Sequence, residues 1–305
     1  MLSPRHAVQT TRHDRDLHAP AARGLPATLP TRARGIALLA AAALSLVLTG
    51  CASNPPRSPL PAELAGEAQI PGIPGARYWG DEPPPRLDEW LSWPEQALES
   101  SYGGIMDRPH AYLVVSGGGG DGAYGAGLLV GWSAHGSRPE FQIVTGVSTG
   151  AIIAPFAFLG AAHDSTLREI YTSFASDDLI TRRGLLAVVR GDAAFDTAPL
   201  RRLLDRYLDD AYIAAIAAEH RRGRTLLVAT TNLDAARPVI WDLTRIAASG
   251  HPYAGRLIRD VILASAAIPA AFPPVTFTVT AGGGTYDELH VDGVVTSQLF
   301  CGPPG

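Results

Sequence analysis

Three short stretches carry the residue types that acyl-transfer chemistry needs. The first, Gly146-Val147-Ser148-Thr149-Gly150, sets a serine between two glycines, after the apolar run Phe141 to Thr145 and before the apolar run Ala151 to Leu159. A strand feeding a helix through such a pentapeptide holds the serine in a strained turn with its hydroxyl clear of the sheet. The helix that follows aims its free amides and positive dipole end at the same point. Alone the pentapeptide is weak, because a tight turn with an N-cap serine reads the same way. The second stretch, Ser116 to Gly127, follows the apolar run His110 to Val115 and is dominated by glycine. Without side chains in the way, several backbone N–H groups can converge there on one anion, which beside a serine nucleophile makes an oxyanion hole. A flexible linker is the plain alternative. A dinucleotide cradle is another, since Gly117, Gly119 and Gly122 satisfy G-x-G-x-x-G. That reading needs an acidic residue at the end of the next strand, where Thr145-Gly146-Val147-Ser148 stands instead. A P-loop fails for want of a Gly-Lys pair. The third stretch is His290-Val291-Asp292-Gly293, an aspartate just past a short apolar strand. An Asp-Gly pair by itself is usually only a turn.

Taken together and in this order, the three stretches resemble the patatin-like phospholipase family, which combines a glycine-rich oxyanion loop, a G-x-S-x-G elbow and a late D-G-[GA] motif. The resemblance covers residues 111 to 293. It implies a Ser-Asp dyad without histidine: Ser148 attacks, Asp292 takes its proton, and Gly117, Gly118, Gly119, Gly120 and Gly122 form the oxyanion loop, with the amides of Gly118, Gly119 and Gly120 on the oxyanion. Gly146 and Gly150 are the elbow glycines. No metal and no cofactor is implied, and the substrate is a phospholipid or another acyl lipid. For Asp292 to serve as a base near neutral pH, partial desolvation should raise its proton affinity. Thr231 to Asp234 and Ser265 to Pro274 also resemble family segments and are assigned to framework and acyl-groove lining.

Three departures stand out. Asp121 occupies a loop position where the family commonly carries arginine or lysine, so cationic help to the oxyanion is missing or reversed; the carboxylate is expected to face solvent or to pair with an arginine. Val294 follows Gly293 where a small residue is usual, and crowding of the aspartate loop is expected. The chain ends at Gly305, soon after Asp292, which suggests a truncated domain with an unpaired sheet edge. Two competing functions remain. A histidine-dependent α/β-hydrolase would use the same elbow, with His290 and either Asp234 or Asp260. A non-enzymatic lipid-binding envelope lipoprotein would need none of these roles.

The elements that must position these residues read as strands alternating with helices. Strands are expected over His110 to Val115, Phe141 to Thr145, Thr225 to Thr230, Val239 to Asp242 and Leu289 to Val291. Helices are expected from near Tyr124 to His135, and over Ala151 to Leu159, Leu200 to Leu208, Ile213 to Arg222 and Gly255 to Ala264. That alternation predicts an α/β domain, a mainly parallel central sheet with helices on both faces in a three-layer arrangement. The chain of 305 residues can bury a large core. A formal net charge of -4 argues against nucleic acid as a partner.

Ahead of the domain lies an address. Arg32 and Arg34 precede the apolar run Gly35 to Leu48, which is too short to span a bilayer comfortably and closes in Leu48-Thr49-Gly50-Cys51. The ending resembles the lipobox of bacterial lipoproteins, which implies cleavage before Cys51 and a lipidated cysteine. Residues 1–50 are therefore expected to be a signal peptide, 51–75 the lipidated cysteine and a proline-rich tether, and 76–305 the catalytic domain. Ala52 after the cysteine resembles outer-membrane sorting, so the expected location is the periplasmic face of a bacterial outer membrane. Several acyl chains on one residue would make such an anchor stable.

Overall fold

The computed structural model describes residues 57–85, 87–106, 109–173, 181–182 and 195–301. The leader, the lipobox and Cys51 lie outside the described residues. Among those described, no helix is long and apolar enough to cross a membrane.

Seven strands make the main sheet: β1 (Arg77–Trp79), β2 (Tyr112–Val115), β3 (Ile143–Val147), β6 (Thr225–Asn232), β7 (Arg237–Asp242), β8 (Val275–Ala281) and β9 (Gly284–Asp292). A separate two-residue pair, β4 (Thr181–Arg182) and β5 (Phe195–Asp196), stands apart from it. Along the main path the order is β1-β7-β6-β3-β2, with β9 on β6 and β8 on β9. Only β2 with β3 and β3 with β6 run parallel. The pairs β1/β7, β6/β7, β6/β9 and β8/β9 are antiparallel. The expectation of a mainly parallel sheet is therefore corrected: the sheet is mixed and mostly antiparallel. The physical reason lies in its two hairpin partners. Residues Leu233 to Ala236 turn β6 straight back into β7, and Gly282 and Gly283, both at positive φ, make the tight β8–β9 turn. A two-residue loop of that kind can join only antiparallel strands.

Buried on every residue, β6 is the central strand, as its apolar run requires. The helices are α1 (Leu87–Ser92), α2 (Glu95–Met106), α3 (Gly122–His135), α4 (Thr149–Leu159), α5 (Asp164–Ser173), α6 (Ala198–Tyr207), α7 (Asp210–His220), α8 (Leu243–Ala248) and α9 (Ala254–Ser265). The main core joins Val144, Leu226, Val228, Val239 and Trp241 of the sheet to Phe156, Leu204, Ile216, Ile246, Val261 and Ile262 of the helices. The opposite sheet face presents Val147, Leu227, Ala229 and Ile240, with Tyr78 and Phe300 packed on them. On that side α1 and α2 enclose a cavity of about 470 Å³ against Tyr112, Ile143 and Thr225, the first residues of their strands.

From Arg57 onward the chain is docked: Arg57 pairs with Asp234 at 2.6 Å, and Ser58 and Asp287 exchange hydrogen bonds. Ile70, Ile73 and Ala76 are buried in the main core. The stretch from Arg57 to Ala76 therefore packs with the domain.

Candidate active site

The site forms where two strands meet head to head on one edge of β6. Strand β3 pairs with β6 up to Val147↔Ala229. Strand β9, running the other way, takes over the same edge from Thr230↔Asp292. Their C-terminal ends abut between Ala229 and Thr230, so the residue after β3, Ser148, faces the residue that ends β9, Asp292. The Ser148 hydroxyl donates to Asp292 Oδ2 at 2.7 Å. The other carboxylate oxygen accepts from the Val294 amide at 2.9 Å.

Ser148 is one of three described non-glycine residues at positive φ, at +56°, a strained conformation for a side-chain-bearing residue. It leads directly into α4. The elbow glycines are there because nothing larger fits. A Cβ on Gly150 would lie 2.2 Å from the Val115 carbonyl oxygen, and one on Gly146 would lie 2.5 Å from the Gly150 carbonyl oxygen. Both catalytic candidates are buried. Burial raises the Asp292 pKa above its ordinary value, and the hydrogen bonds from Ser148 and the Val294 amide offset only part of that.

The glycine loop turns at Gly119, whose φ is +55°, and a short 3₁₀ turn over Gly119–Asp121 leads into α3. The amides of Gly118, Gly119 and Gly120 have no acceptor among the described residues, as expected for the open start of such a turn. The amides of Gly117 and Gly122, the other two loop glycines, are already used, by the Gln298 carbonyl and by the Gly119 and Gly120 carbonyls. Their place in the loop is steric. A Cβ at Gly117 would lie 2.4 Å from Val294, and one at Gly122 would lie 2.3 Å from Thr149 Oγ1. Asp121 is exposed. The Val294 side chain fills the space beside Gly117, and its amide serves the Asp292 carboxylate.

His290 does not join the pair. Its Nδ1 meets Thr230 Oγ1 at 2.8 Å and its Nε2 meets Glu288 at 3.3 Å. The Trp241 indole can only donate, and it donates to Thr230. The Thr230 hydroxyl proton then goes to Nδ1, and Nε2–H goes to Glu288, which Arg77 also binds. This closed chain leaves His290 neutral and occupied. Of the other acids considered, Asp234 pairs with Arg57 and Asp260 with Arg201.

Two residues that the sequence left among the framework lie at the centre. Ser265, the last residue of α9, accepts from the Ser148 amide at 2.9 Å and donates to the Ala229 carbonyl at 2.7 Å. The Ala267 carbonyl accepts from the Asp292 amide at 2.9 Å. The segment from 265 onward was assigned to framework and acyl-groove lining, and its first residues hold the backbone of the site. Among the described residues no three His, Cys, Asp or Glu side chains gather to hold a metal. The cavity under α1 and α2 touches neither Ser148 nor Asp292.

A buried serine on a strained strand-to-helix elbow, an aspartate bonded to it and a neighbouring row of glycine-loop amides lie together at one point of an α/β domain. The chain belongs to the patatin-like phospholipase family, whose model matches residues 113–301. No curated protein matches it. The crystal structure of VipD from Legionella pneumophila aligns with 14% identity and a TM-score of 0.40. That alignment covers 65% of this chain and spans only 48% of VipD, a likeness too loose to carry an argument.

Proposed function

We propose that the protein is a serine lipid acyl hydrolase of the phospholipase A or lysophospholipase type, working through a Ser148–Asp292 dyad. The 2.7 Å hydrogen bond between the two side chains, at the junction of β3 and β9, carries this reading. Asp292 accepts the Ser148 proton as Oγ bonds to the acyl carbonyl carbon. Charge moves onto the carbonyl oxygen, where the Gly118, Gly119 and Gly120 amides and the start of α4 stabilise it. Collapse breaks the ester bond, and the departing alcohol takes the proton from Asp292. Water then attacks the acyl-enzyme, giving its proton to Asp292, and the fatty acid leaves as Ser148 regains a proton.

The test is active-site labelling with a fluorophosphonate, mapped by mass spectrometry, beside turnover of phospholipid and lysophospholipid. An adduct on Ser148, absent in Ser148→Ala, is the expected result. A folded protein with no adduct and no ester hydrolysis would instead favour a lipid-binding role.

The location proposed is the periplasmic face of a bacterial outer membrane, through a lipidated Cys51. This rests on the basic, apolar and Leu48-Thr49-Gly50-Cys51 segments of the sequence. Incorporation of labelled palmitate that disappears in Cys51→Ala would support it; an unmodified Cys51 in the mature protein would overturn it.

A further inference from the structure

We infer that the segment Ser265–Ala267 is a splint that sets the nucleophile against the base, with Ser265 as a positioning residue. The inference rests on the reading of Ser148 and Asp292 given above. Each half of the pair has one backbone N–H tied to this segment: Ser148 to the Ser265 hydroxyl at 2.9 Å, and Asp292 to the Ala267 carbonyl at 2.9 Å.

Ser265 is fully buried, and both functions of its hydroxyl are committed. It gives its one proton to the Ala229 carbonyl at 2.7 Å, which turns a lone pair toward the Ser148 amide. Ala229 is the partner of Val147, the last pair before β3 leaves β6. The hydroxyl therefore splices the strained elbow onto the sheet at the residue where the ladder stops. Gly293, next to the base, packs on the same carbonyl: a Cβ there would lie 2.6 Å from Ala229 O. Elbow, central strand and aspartate loop thus converge on one serine. A positive φ at a non-glycine residue persists only where its surroundings over-determine it, and this bridge is the side-chain hydrogen bond to the Ser148 amide.

The test uses the full-length protein, a water-soluble short-chain ester and fluorophosphonate labelling. Ser265→Ala should lower kcat and the labelling rate of Ser148 together, by about 10- to 100-fold, while KM stays within about twofold, because misplacing a reacting group costs rate and not binding. Amide exchange at Ser148 should quicken, and Ser265→Thr, which keeps the hydroxyl, should recover part of both. Thr244→Ala removes another fully buried hydroxyl, one bonded near the far end of β6 at Leu226. It should lower stability without changing kcat. If Ser265→Ala does not fold, Ser265→Cys leaves no cavity, weakens both bonds and should show a smaller loss of the same kind. Wild-type kcat in a folded Ser265→Ala or Ser265→Cys protein whose Ser148 amide exchanges faster would overturn the splint. So would an equal loss in Thr244→Ala. A wild-type protein that neither cleaves the ester nor labels on Ser148 refutes the dyad itself, and the splint with it.

Discussion

Glu288 and Asp292 lie four residues apart on β9, on the same side of the strand, and both are buried to within 2% of full exclusion from solvent. The protein treats their charges in opposite ways. Burial works to raise the Glu288 pKa, but the hydrogen bond from His290 and the charge and hydrogen bonds of Arg77 outweigh it and hold the group at about 2. Among the described residues Asp292 has no cation as a partner, only a serine hydroxyl and one amide, so burial wins and its pKa rises. Two carboxylates on one strand thus differ in kind: one is held as an anion and the other has its proton affinity raised. The paired one belongs to structure. The unpaired one, left costly in its charged form, is suited to take a proton.

The largest effect should come from Asp292→Asn. Removing the base should lower kcat by at least about 10³-fold, on the scale seen when one member of a catalytic unit is lost. Stability should not fall with it. A group whose folded pKa is raised is more stabilising protonated than ionised, so at neutral pH the carboxylate works against the fold. The melting temperature of Asp292→Asn should equal or exceed that of the wild type. A large drop in melting temperature would place Asp292 with Glu288 as a structural anion.

Glu288→Gln should invert that result. It leaves the Arg77 guanidinium buried without its countercharge, a loss on the order of 3 kcal/mol in stability. Turnover per folded molecule should change far less, because the network of Arg77, Glu288, His290 and Thr230 touches β9 and β6 and not Ser148. Chemical denaturation beside single-turnover acylation separates the two readouts.

The pH dependence should split along the same line. Activity needs Asp292 ionised, so kcat/KM should rise with pH through an apparent pKa above the ordinary carboxylate value of 3.8. Stability should run on a different schedule. Glu288, depressed from 4.5 to about 2, contributes fully above 4.5 and loses that contribution as pH falls toward 2. His290, whose pKa burial lowers below 6.5, adds to the same trend, since the unfolded chain gains its proton first. A window should therefore exist at mildly acid pH in which the protein is folded and slow. Loss of activity and of structure at one common pH would break the distinction.

The two carboxylates were not equally legible in the sequence. Asp292 was singled out because the family pattern names an aspartate at that position, and the elbow because of its two glycines, at positions where close packing admits nothing larger. The Arg77–Glu288 pair joins residues 211 apart, and nothing in either neighbourhood marks it. The direction of the sheet was misread because an apolar run reports burial and not the sense of pairing. Strand β8 was readable and was missed: Phe277, Val279 and Ala281 are buried while Thr276 and Thr278 are exposed, a period of two. Ser265 was marked only as the start of a family-like segment, and its bond to the Ser148 amide was not legible, because the two residues lie 117 apart.

A third carboxylate gives the smallest expected effect and sharpens what the other two teach. Asp121 sits in the glycine loop, two residues from Gly119, and departs from the basic residue usual there. Nearness in sequence would suggest that its charge opposes the oxyanion. Its exposure argues otherwise, because water and salt screen a charge that the protein does not enclose. Asp121→Asn should therefore change kcat/KM by no more than about twofold, and 0.5 M salt should erase the difference, since the screening length shrinks from about 10 Å to a few ångströms. A salt-resistant rise of tenfold or more would mean that the loop closes over Asp121 during catalysis. That result would move it into the class of Glu288 and Asp292, whose effects are set by burial.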